Sequence, residues 1–426
     1  MTFLAAVLAA ALVQASPAAD TTDTPAGAVD AQDEATPAVL GDERPGLKFR
    51  PRIAPSALYN NNRGFGFGGG IGIENIGWPG SDLVVDVRLV QSLLAARTRL
   101  YTDDPFDSRL YGLTSASAST TDRRRYFGLG PNTLTDSEIN LFHDAAQAEV
   151  RLGAYPLGNT ALYLQPGVRF LYDYSGGLNE ADSENTLAVF DERSREAVEV
   201  AEGIKRYGAS VGVEIATDLR DWRSYPTRGF FGMVEHRRFI AFDETDLTLA
   251  RYSGTATGYV PVRGRTTVFF TGVASFTRSG DGDGDGQDDP IPFYYLPTLD
   301  DRVAAPFRQE RLSGRDILAG GVGIRAAMVD ILGVYGIDGL ATVYLGNAYD
   351  NVFEQFTPKI SFEDGSEIGE DGRAFLRPAM GLGLGIVNLK RERLVIGGLL
   401  GIGPGGVNLA TLRIAYDLRH ARPLFR

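Results

Sequence analysis

The chain of 426 residues has no cysteine, only three histidines and only two tryptophans. Without cysteine it can form neither a disulfide framework nor a thiolate metal site. Its formal net charge of −12 argues against general nucleic-acid binding, which needs a basic surface, and against docking onto anionic lipid. No apolar run after the N-terminal segment approaches the ~18 residues of a membrane-spanning helix.

The scarcity of histidine also limits enzyme chemistry. A hydrolase would need a nucleophile or activated water beside a base and an acid, but no serine-containing motif adjoins His143, His236 or His420. The glycine-rich stretches lack the lysine of a phosphate-binding loop. We therefore expect neither enzymatic activity nor a cofactor.

The N-terminus carries the pattern of a secretory signal peptide. Leu4–Val13 is a short apolar run, and small residues follow it, which predicts cleavage after Ala15 or as late as Ala19. A buried N-terminal helix is the alternative, since Lys and Arg are absent before the run. Residues 16–46 are rich in Ala, Pro, Thr and Asp and cannot bury enough apolar surface to fold, so they are predicted to form a disordered linker.

From residue 47 onward, apolar and polar residues alternate with period two, as in a strand with one apolar and one wet face. The clearest cases are 161–173, 206–218 and 411–419. In the first, residues 164, 168 and 170 are apolar while Gln165, Arg169 and Asp173 occupy the other face. In the second, Tyr207, Val211, Val213 and Ile215 oppose Arg206, Ser210, Glu214 and Asp218. The third alternates in the same way.

Short turns between these strands alternate with long acidic loops, which is typical of a transmembrane β-barrel. The acidic loops are 175–204, 278–314 and 347–373. About sixteen antiparallel strands over 47–426 are predicted, an even number as bacterial barrels require. Their predicted first residues are Lys48, Phe65, Leu83, Ala95, Arg109, Glu138, Ala161, Arg206, Gly229, Leu247, Thr266, Arg315, Gly339, Ala374, Leu394 and Val407.

A soluble propeller is the competing all-β architecture. It should show an internal repeat of ~40–50 residues, and none is visible. The 52 glycines also favour the barrel, because several lie inside predicted strands, where curvature or close approach must justify them.

DLRDWRSYPTRG, residues 218–229, resembles a signature of the BamA/TamA-like bacterial surface antigen family of outer-membrane barrels. The matching residues are Asp218, Arg220, Asp221, Pro226, Thr227 and Gly229. RYFGLGPNT (125–133) and the segment from Pro292 look like two further family stretches, in the family's order. The signature residues are predicted to pack at the periplasmic rim, where acid–base pairs satisfy polar groups.

The resemblance implies a role in inserting or exporting other outer-membrane proteins, often with periplasmic POTRA modules ahead of the barrel. The 31 residues between Ala15 and Gly46 are too few for such a module, so no client-docking arm is expected in this chain. Outer-membrane lipid and lipopolysaccharide are the expected surroundings. Unfolded outer-membrane proteins or a separate periplasmic protein are the candidate partners.

A second departure lies in the sixth extracellular loop. The family places an Arg-Gly-aromatic motif there, and an Asp on a facing strand holds the Arg. Here the motif positions are Ala305, Pro306 and Phe307, and Tyr344 takes the Asp position. Both halves of that ion pair are therefore missing. One hypothesis is that Arg308 or Arg311 holds the loop instead, through a lumenal acid such as Glu214 or Glu235.

The same loop begins with SGDGDGDGQDDP (279–290). Asp281, Asp283, Asp285 and Asp289 match the first ligand positions of an EF-hand calcium loop, but Pro292 stands where a bidentate Glu is required. A solvated acidic tip and weak divalent binding at millimolar affinity both remain open.

Two functions follow from these patterns. By resemblance, the protein would assist outer-membrane protein assembly or translocation. Alternatively it is a passive pore or structural surface barrel that has lost the family's loop contact, which the pairing of Ala305 with Tyr344 favours. Both place it in the bacterial outer membrane.

Overall fold

The computed structural model describes residues 56–415 with gaps at 61–63, 75–80, 91–92, 104–109, 132, 134–137, 155–161, 179–203, 222–224, 244–246, 281–290, 300–305, 308–310, 364–371, 390–392 and 404–405. The predicted signal peptide and linker lie outside these residues. No helix within the described ranges has the length and hydropathy needed to cross a membrane.

Nearly all of the described chain is strand, as the period-two pattern predicts. The strands are β1 Ser56–Asn60, β2 Gly64–Glu74, β3 Ser81–Val90, β4 Leu93–Asp103, β5 Leu110–Tyr126, β6 Ile139–Ala154, β7 Leu162–Leu178, β8 Ile204–Asp218, β9 Gly229–Ala241, β10 Thr248–Arg263, β11 Thr266–Ser279, β12 Thr298–Leu299, β13 Leu312–Ser313, β14 Asp316–Ile331, β15 Tyr335–Tyr349, β16 Phe356–Ile360, β17 Ala374–Asn388, β18 Arg393–Gly403 and β19 Gly406–Ala415. A single 3-10 turn at Phe293–Tyr295 and a short helix α1 at Val352–Gln355 complete the described elements.

Sixteen of these strands pair antiparallel with their neighbours in chain order, from β1 to β11 and then through β14, β15, β17, β18 and β19. β1 also pairs with β19 over its five residues, so the last strand returns to the first. β12 and β13 pair only with each other. β16 lies parallel to the start of β17. The architecture is the predicted antiparallel β-barrel.

The wall has its apolar face outward. Val211, Val213 and Ile215 on β8 are exposed, whereas Ser210 and Glu214 between them are buried. β7 repeats the pattern, with Phe170 exposed and Gln165 buried. The predicted faces of both strands are confirmed. A wall of this kind suits a hydrocarbon surrounding, in which every backbone polar group must pair within the protein.

Glycines inside strands make room for aromatic rings on the neighbouring strand. A Cβ on Gly321 would collide with the ring of Tyr344, its register partner across β14 and β15. Gly323 is covered in the same way by Phe269 of β11. Close approach of a side chain is therefore one reason for the glycine in these strands.

Candidate functional site

The connection between β11 and β14 contributes residues to three buried apolar clusters of the described chain. We call its described parts, residues 291–299, 306–307 and 311–313, the inner loop. Ile291, Leu299 and Leu312 are almost fully buried, at 2%, 0% and 1% exposure. Because outward-facing residues of the wall are exposed, these side chains must pack against the inner face. The sixth loop therefore enters the lumen, as the resemblance implies.

The first part of the inner loop packs on β9 and β10. Tyr295 lies against Phe239 with ring centroids 4.7 Å apart, and Ile291 and Leu249 belong to the same buried cluster. Phe293 of the 3-10 turn lies against Tyr126 of β5, with ring centroids 5.0 Å apart. Rings from one short turn thus reach two distant parts of the wall.

The second part of the inner loop packs on β14, β15 and β17. Phe307 and Leu299 share a buried cluster with Tyr344 of β15 and Ala379 of β17. Pro306 lies directly on the glycines of two strands: a Cβ on Gly381 would be 3.2 Å from its Cγ, and one on Gly401 would be 2.5 Å from its carbonyl oxygen. Glycine at positions 381 and 401 therefore leaves the space that Pro306 occupies.

Of the predicted motif positions, the structure describes Pro306, Phe307 and Tyr344, and it brings Phe307 and Tyr344 together. Phe307 and Tyr344 share an apolar cluster, so an apolar contact stands where the family is expected to have an ion pair. Ala305 and Arg308 lie outside the described residues. A tyrosine at position 344 is compatible with this cluster, whereas an unpaired carboxylate would carry a large desolvation cost.

Arg311 is buried inside the barrel at 6% exposure. Its guanidinium donates to Thr133 Oγ1 at 2.5 Å and to the Thr133 carbonyl at 2.6 Å. Glu214 binds Arg151 at 3.1 Å, and Glu235 binds Arg237 at 2.9 Å. Arg308 lies outside the described residues, so an acid partner for the loop stays a prediction.

Arg311 joins the inner loop to the 125–133 stretch that follows β5. Its guanidinium carbon lies 5.1 Å from the ring centroid of Phe127, and the Gly130 amide donates to the Ser313 carbonyl at 2.8 Å. Arg377 of β17 reaches the same stretch, donating to the carbonyls of Pro131 and, at 3.2 Å, Thr133. Two family-like stretches that are far apart in sequence therefore form one structure, and no local pattern could have revealed it.

The signature residues form a turn between β8 and β9. Arg220 donates to both carboxylate oxygens of Asp218, at 2.7 and 2.8 Å, and lies 4.7 Å from the ring centroid of Phe231. Burial alone would lower the pKa of Arg220, but the hydrogen bond and charge of Asp218 raise it above its ordinary value. Arg220 therefore stays charged, and the pair holds the end of β8.

Asp221 organises the rest of this turn. Its carboxylate accepts from the Thr227 amide at 2.9 Å, the Arg228 amide at 3.1 Å and the Thr227 hydroxyl. Gly229 has a φ of +105°, and a Cβ there would collide with the Leu219 carbonyl, so glycine is required.

Arg325 of β14 joins the turn to a strand three positions from β9 in the sheet. It donates to the Pro226 carbonyl, and its guanidinium carbon lies 3.5 Å from the centroid of the Tyr225 ring. The six signature residues have structural contacts of the kind expected at a barrel rim. The link to Arg325 was not expected from the sequence.

A network of charged residues lines the inner face of β6 to β9. Glu149 is 5% exposed and forms ion pairs with Arg151 and Arg169, each at 3.0 Å, and with Arg237 at 3.3 Å. Gln165 adds a bond to Glu214 at 3.0 Å. The period-two pattern predicts that several of these side chains lie on the inner face. It does not predict which of them pair, because the pairing depends on the register of four strands.

The histidine at position 143 belongs to the packing of the same interior. Its Nε2 lies 3.3 Å from Asp173 Oδ1 on β7, and its ring centroid is 5.9 Å from that of Tyr294 in the inner loop. The sequence did not predict this pair. It adds one more contact between the wall and the 3-10 turn.

The proposed calcium ligands Asp281, Asp283, Asp285 and Asp289 lie outside the described residues. Within the described ranges, no group of three or more His, Asp or Glu side chains is arranged to hold a metal ion.

No protein-family model matches the chain, and no curated protein matches it either. Solved structures do. BamA from Haemophilus ducreyi lacking POTRA domains 1–3 superposes with a TM-score of 0.60 at 10% identity, over 86% of this chain and 71% of that one. CdiB from Escherichia coli gives a TM-score of 0.51 at 11% identity, over 87% of this chain and 64% of that one. At these identities the likeness is one of fold, and the chain has an antiparallel barrel fold like those of BamA and CdiB.

Proposed function

We propose that this protein is an outer-membrane barrel of the BamA/TamA-like surface antigen family that assists the assembly or translocation of other outer-membrane proteins. The observation that carries the proposal is the contact of Pro306 and Phe307 with β15, β17 and β18. The resemblance predicts that the sixth-loop motif reaches into the barrel at these positions. The buried contacts of Pro306 and Phe307 support the proposal, although the arginine, glycine and aspartate of the family motif are replaced in this chain.

The occupied lumen also supports this proposal over a passive pore. The inner loop packs against β5, β9, β10, β14, β15 and β17. A diffusion pore requires an open aqueous path, as in porins. A loop fastened across the interior narrows such a path.

The outward apolar face supports a lipid surrounding, and the proposed role implies the protein partners. Its exposed leucine, valine, isoleucine and phenylalanine side chains would contact outer-membrane lipid, including the acyl chains of lipopolysaccharide. Clients would be unfolded outer-membrane proteins, delivered by a separate periplasmic protein. No enzymatic step, cofactor or nucleic acid is needed for this role.

Depletion of the protein followed by quantification of outer-membrane proteins tests the proposal. We expect specific barrel proteins to fall in abundance and to recover when the wild-type gene is restored. The variant Phe307→Ala removes the ring that packs on the wall. When it is expressed at the wild-type level in the depleted cells, it should restore the abundance of these barrel proteins less well than the wild type does.

A passive pore or structural surface barrel is the second candidate, and the charged network on β6 to β9 favours it, since polar lumenal walls conduct solutes. Planar bilayers distinguish the two functions. Stable conductance together with altered solute uptake and unchanged client levels after depletion would establish the pore and exclude the assembly role.

A further inference from the structure

Arg251 points into the lumen directly below the inner loop. Leu249, two residues earlier on β10, is buried in the cluster that holds Ile291 and Tyr295. Tyr252 is half exposed on the opposite face. Because successive side chains of a strand alternate between faces, Arg251 shares the inner face with Leu249.

This arginine differs from its neighbours in having no acceptor. Arg151, Arg169 and Arg237 each bind at least one carboxylate. Arg251 is half-buried, and its Nε is shielded from solvent without a hydrogen-bond partner among the described residues. A shielded N–H left without an acceptor is costly, so such a group usually has one.

The residues in register with Arg251 are also donors. Arg237 of β9 lies directly opposite on one side, and Thr277 of β11 lies opposite on the other. Like charges in directly opposed positions destabilise a sheet. Thr277 is 1% exposed, and its Oγ1 has no hydrogen-bond partner among the described residues. One row across three strands therefore presents two guanidiniums and a hydroxyl.

The other arginines of this network are already paired. Arg151, Arg169 and Arg237 each lie within 3.3 Å of Glu149. The charges that act on Arg251 are one carboxylate, Glu235, and two guanidiniums, Arg169 and Arg237.

We propose that Arg251 and Thr277, beside Arg237, form a lumenal binding site for a small oxyanion of the phosphate class. A phosphate oxygen pair matches the fork of the Arg251 guanidinium, and a third oxygen accepts from the Thr277 hydroxyl. Arg237 keeps its bonds to Glu235 and Glu149 and lies next to the site in register with Arg251. The site lies beneath the 3-10 turn, so its occupant would contact the wall that holds the inner loop.

Titration calorimetry with inorganic phosphate tests the site on the purified full-length barrel in detergent, with sodium chloride at equal ionic strength as the reference. Wild type should bind phosphate. Arg251→Gln should weaken binding by about tenfold or more, the loss typical of a hydrogen-bonded charged group. Thr277→Val should weaken it by about three- to tenfold. Arg263→Gln, which changes an exposed arginine at the far end of the same strand, should bind like wild type.

Two outcomes overturn the proposal. One is wild-type protein that gives no heat with phosphate beyond the chloride reference and no phosphate-dependent rise in melting temperature. The other is unchanged affinity in both Arg251→Gln and Thr277→Val. Heat-modifiable gel mobility of each variant confirms that the barrel is folded, and the two substitutions on different strands keep the test valid if one of them fails to fold.

Discussion

The carbonyl oxygen of Pro306 lies 2.5 Å from the position that a Cβ on Gly401 would occupy. Gly401 is a buried residue of β18, and Pro306 belongs to the loop that enters the barrel. The two residues therefore fit only while position 401 carries no side chain. This contact makes the attachment of the inner loop directly testable.

Gly401→Ala should destabilise the barrel by about 2 kcal/mol, because the added methyl overpacks the contact with Pro306. The free energy of unfolding is measured by urea titration in phospholipid vesicles. Gly258→Ala is the matched control, since no atom lies within 4 Å of its Cβ position. Equal stability of the two variants would mean that the proline does not press on β18.

Tyr344→Asp restores the acid that the family is expected to carry, but here it places a carboxylate among Leu299, Phe307 and Ala379. We expect a loss of about 3 kcal/mol or more in unfolding free energy, as for other uncompensated buried charges. Tyr335→Asp, at a tyrosine of the same strand that is 41% exposed, should cost much less. A Tyr344→Asp variant as stable as wild type would contradict the apolar contact described above.

Asp221→Ala removes the acceptor of three hydrogen bonds in the β8–β9 turn. Hydrogen bonds to a charged group contribute more than neutral ones, so we expect a loss of about 2 to 3 kcal/mol in the free energy of unfolding. Asp330→Ala is the comparison: that carboxylate is more than half exposed and pairs with Arg265 at 2.6 Å, which is worth about 1 kcal/mol or less. If both variants lost the same stability, Asp221 would not organise the turn.

Arg377→Met removes the guanidinium that binds the carbonyls of Pro131 and Thr133. We expect the 127–131 stretch to loosen, because its buried carbonyls lose their donor. Hydrogen exchange of the Gly130 amide, which donates to Ser313, reports the change and should accelerate at least about tenfold. Arg263→Met, on the exposed end of β10, should leave this amide unchanged, and a protected Gly130 in Arg377→Met would refute the link.

The strands were predictable because each follows a period-two pattern bounded by turn residues. The predicted starts at Gly229, Thr266 and Ala374 coincide with those observed. Among the predicted starts that lie within the described residues, the largest displacement is at β15, which begins at Tyr335 and was expected to begin at Gly339. Gly336 and Asp338 are typical turn residues, so the pattern favours a later start. In the structure Asp338 is buried within the strand and accepts a hydrogen bond from Arg265 of the neighbouring hairpin at 3.1 Å.

The contacts of the inner loop were not predictable to the same degree. β12, β13, β16 and α1 are too short for any periodicity to register. The sequence placed Arg311 inside the barrel, yet its acceptor Thr133 is 178 residues away. Such a pair depends on the register of many intervening strands. A family resemblance could locate the loop, but not the partner that replaces a lost ion pair.

The contact of Pro306 and Phe307 with the barrel wall contains no ion pair among the described residues, which decides the conditions that would release it. Salt screens charges but not apolar contacts, so added salt should leave this part of the attachment in place. Apolar contacts weaken on cooling, since their driving force near room temperature is mainly entropic. The hold of this contact on the barrel wall therefore depends on temperature more than on ionic strength.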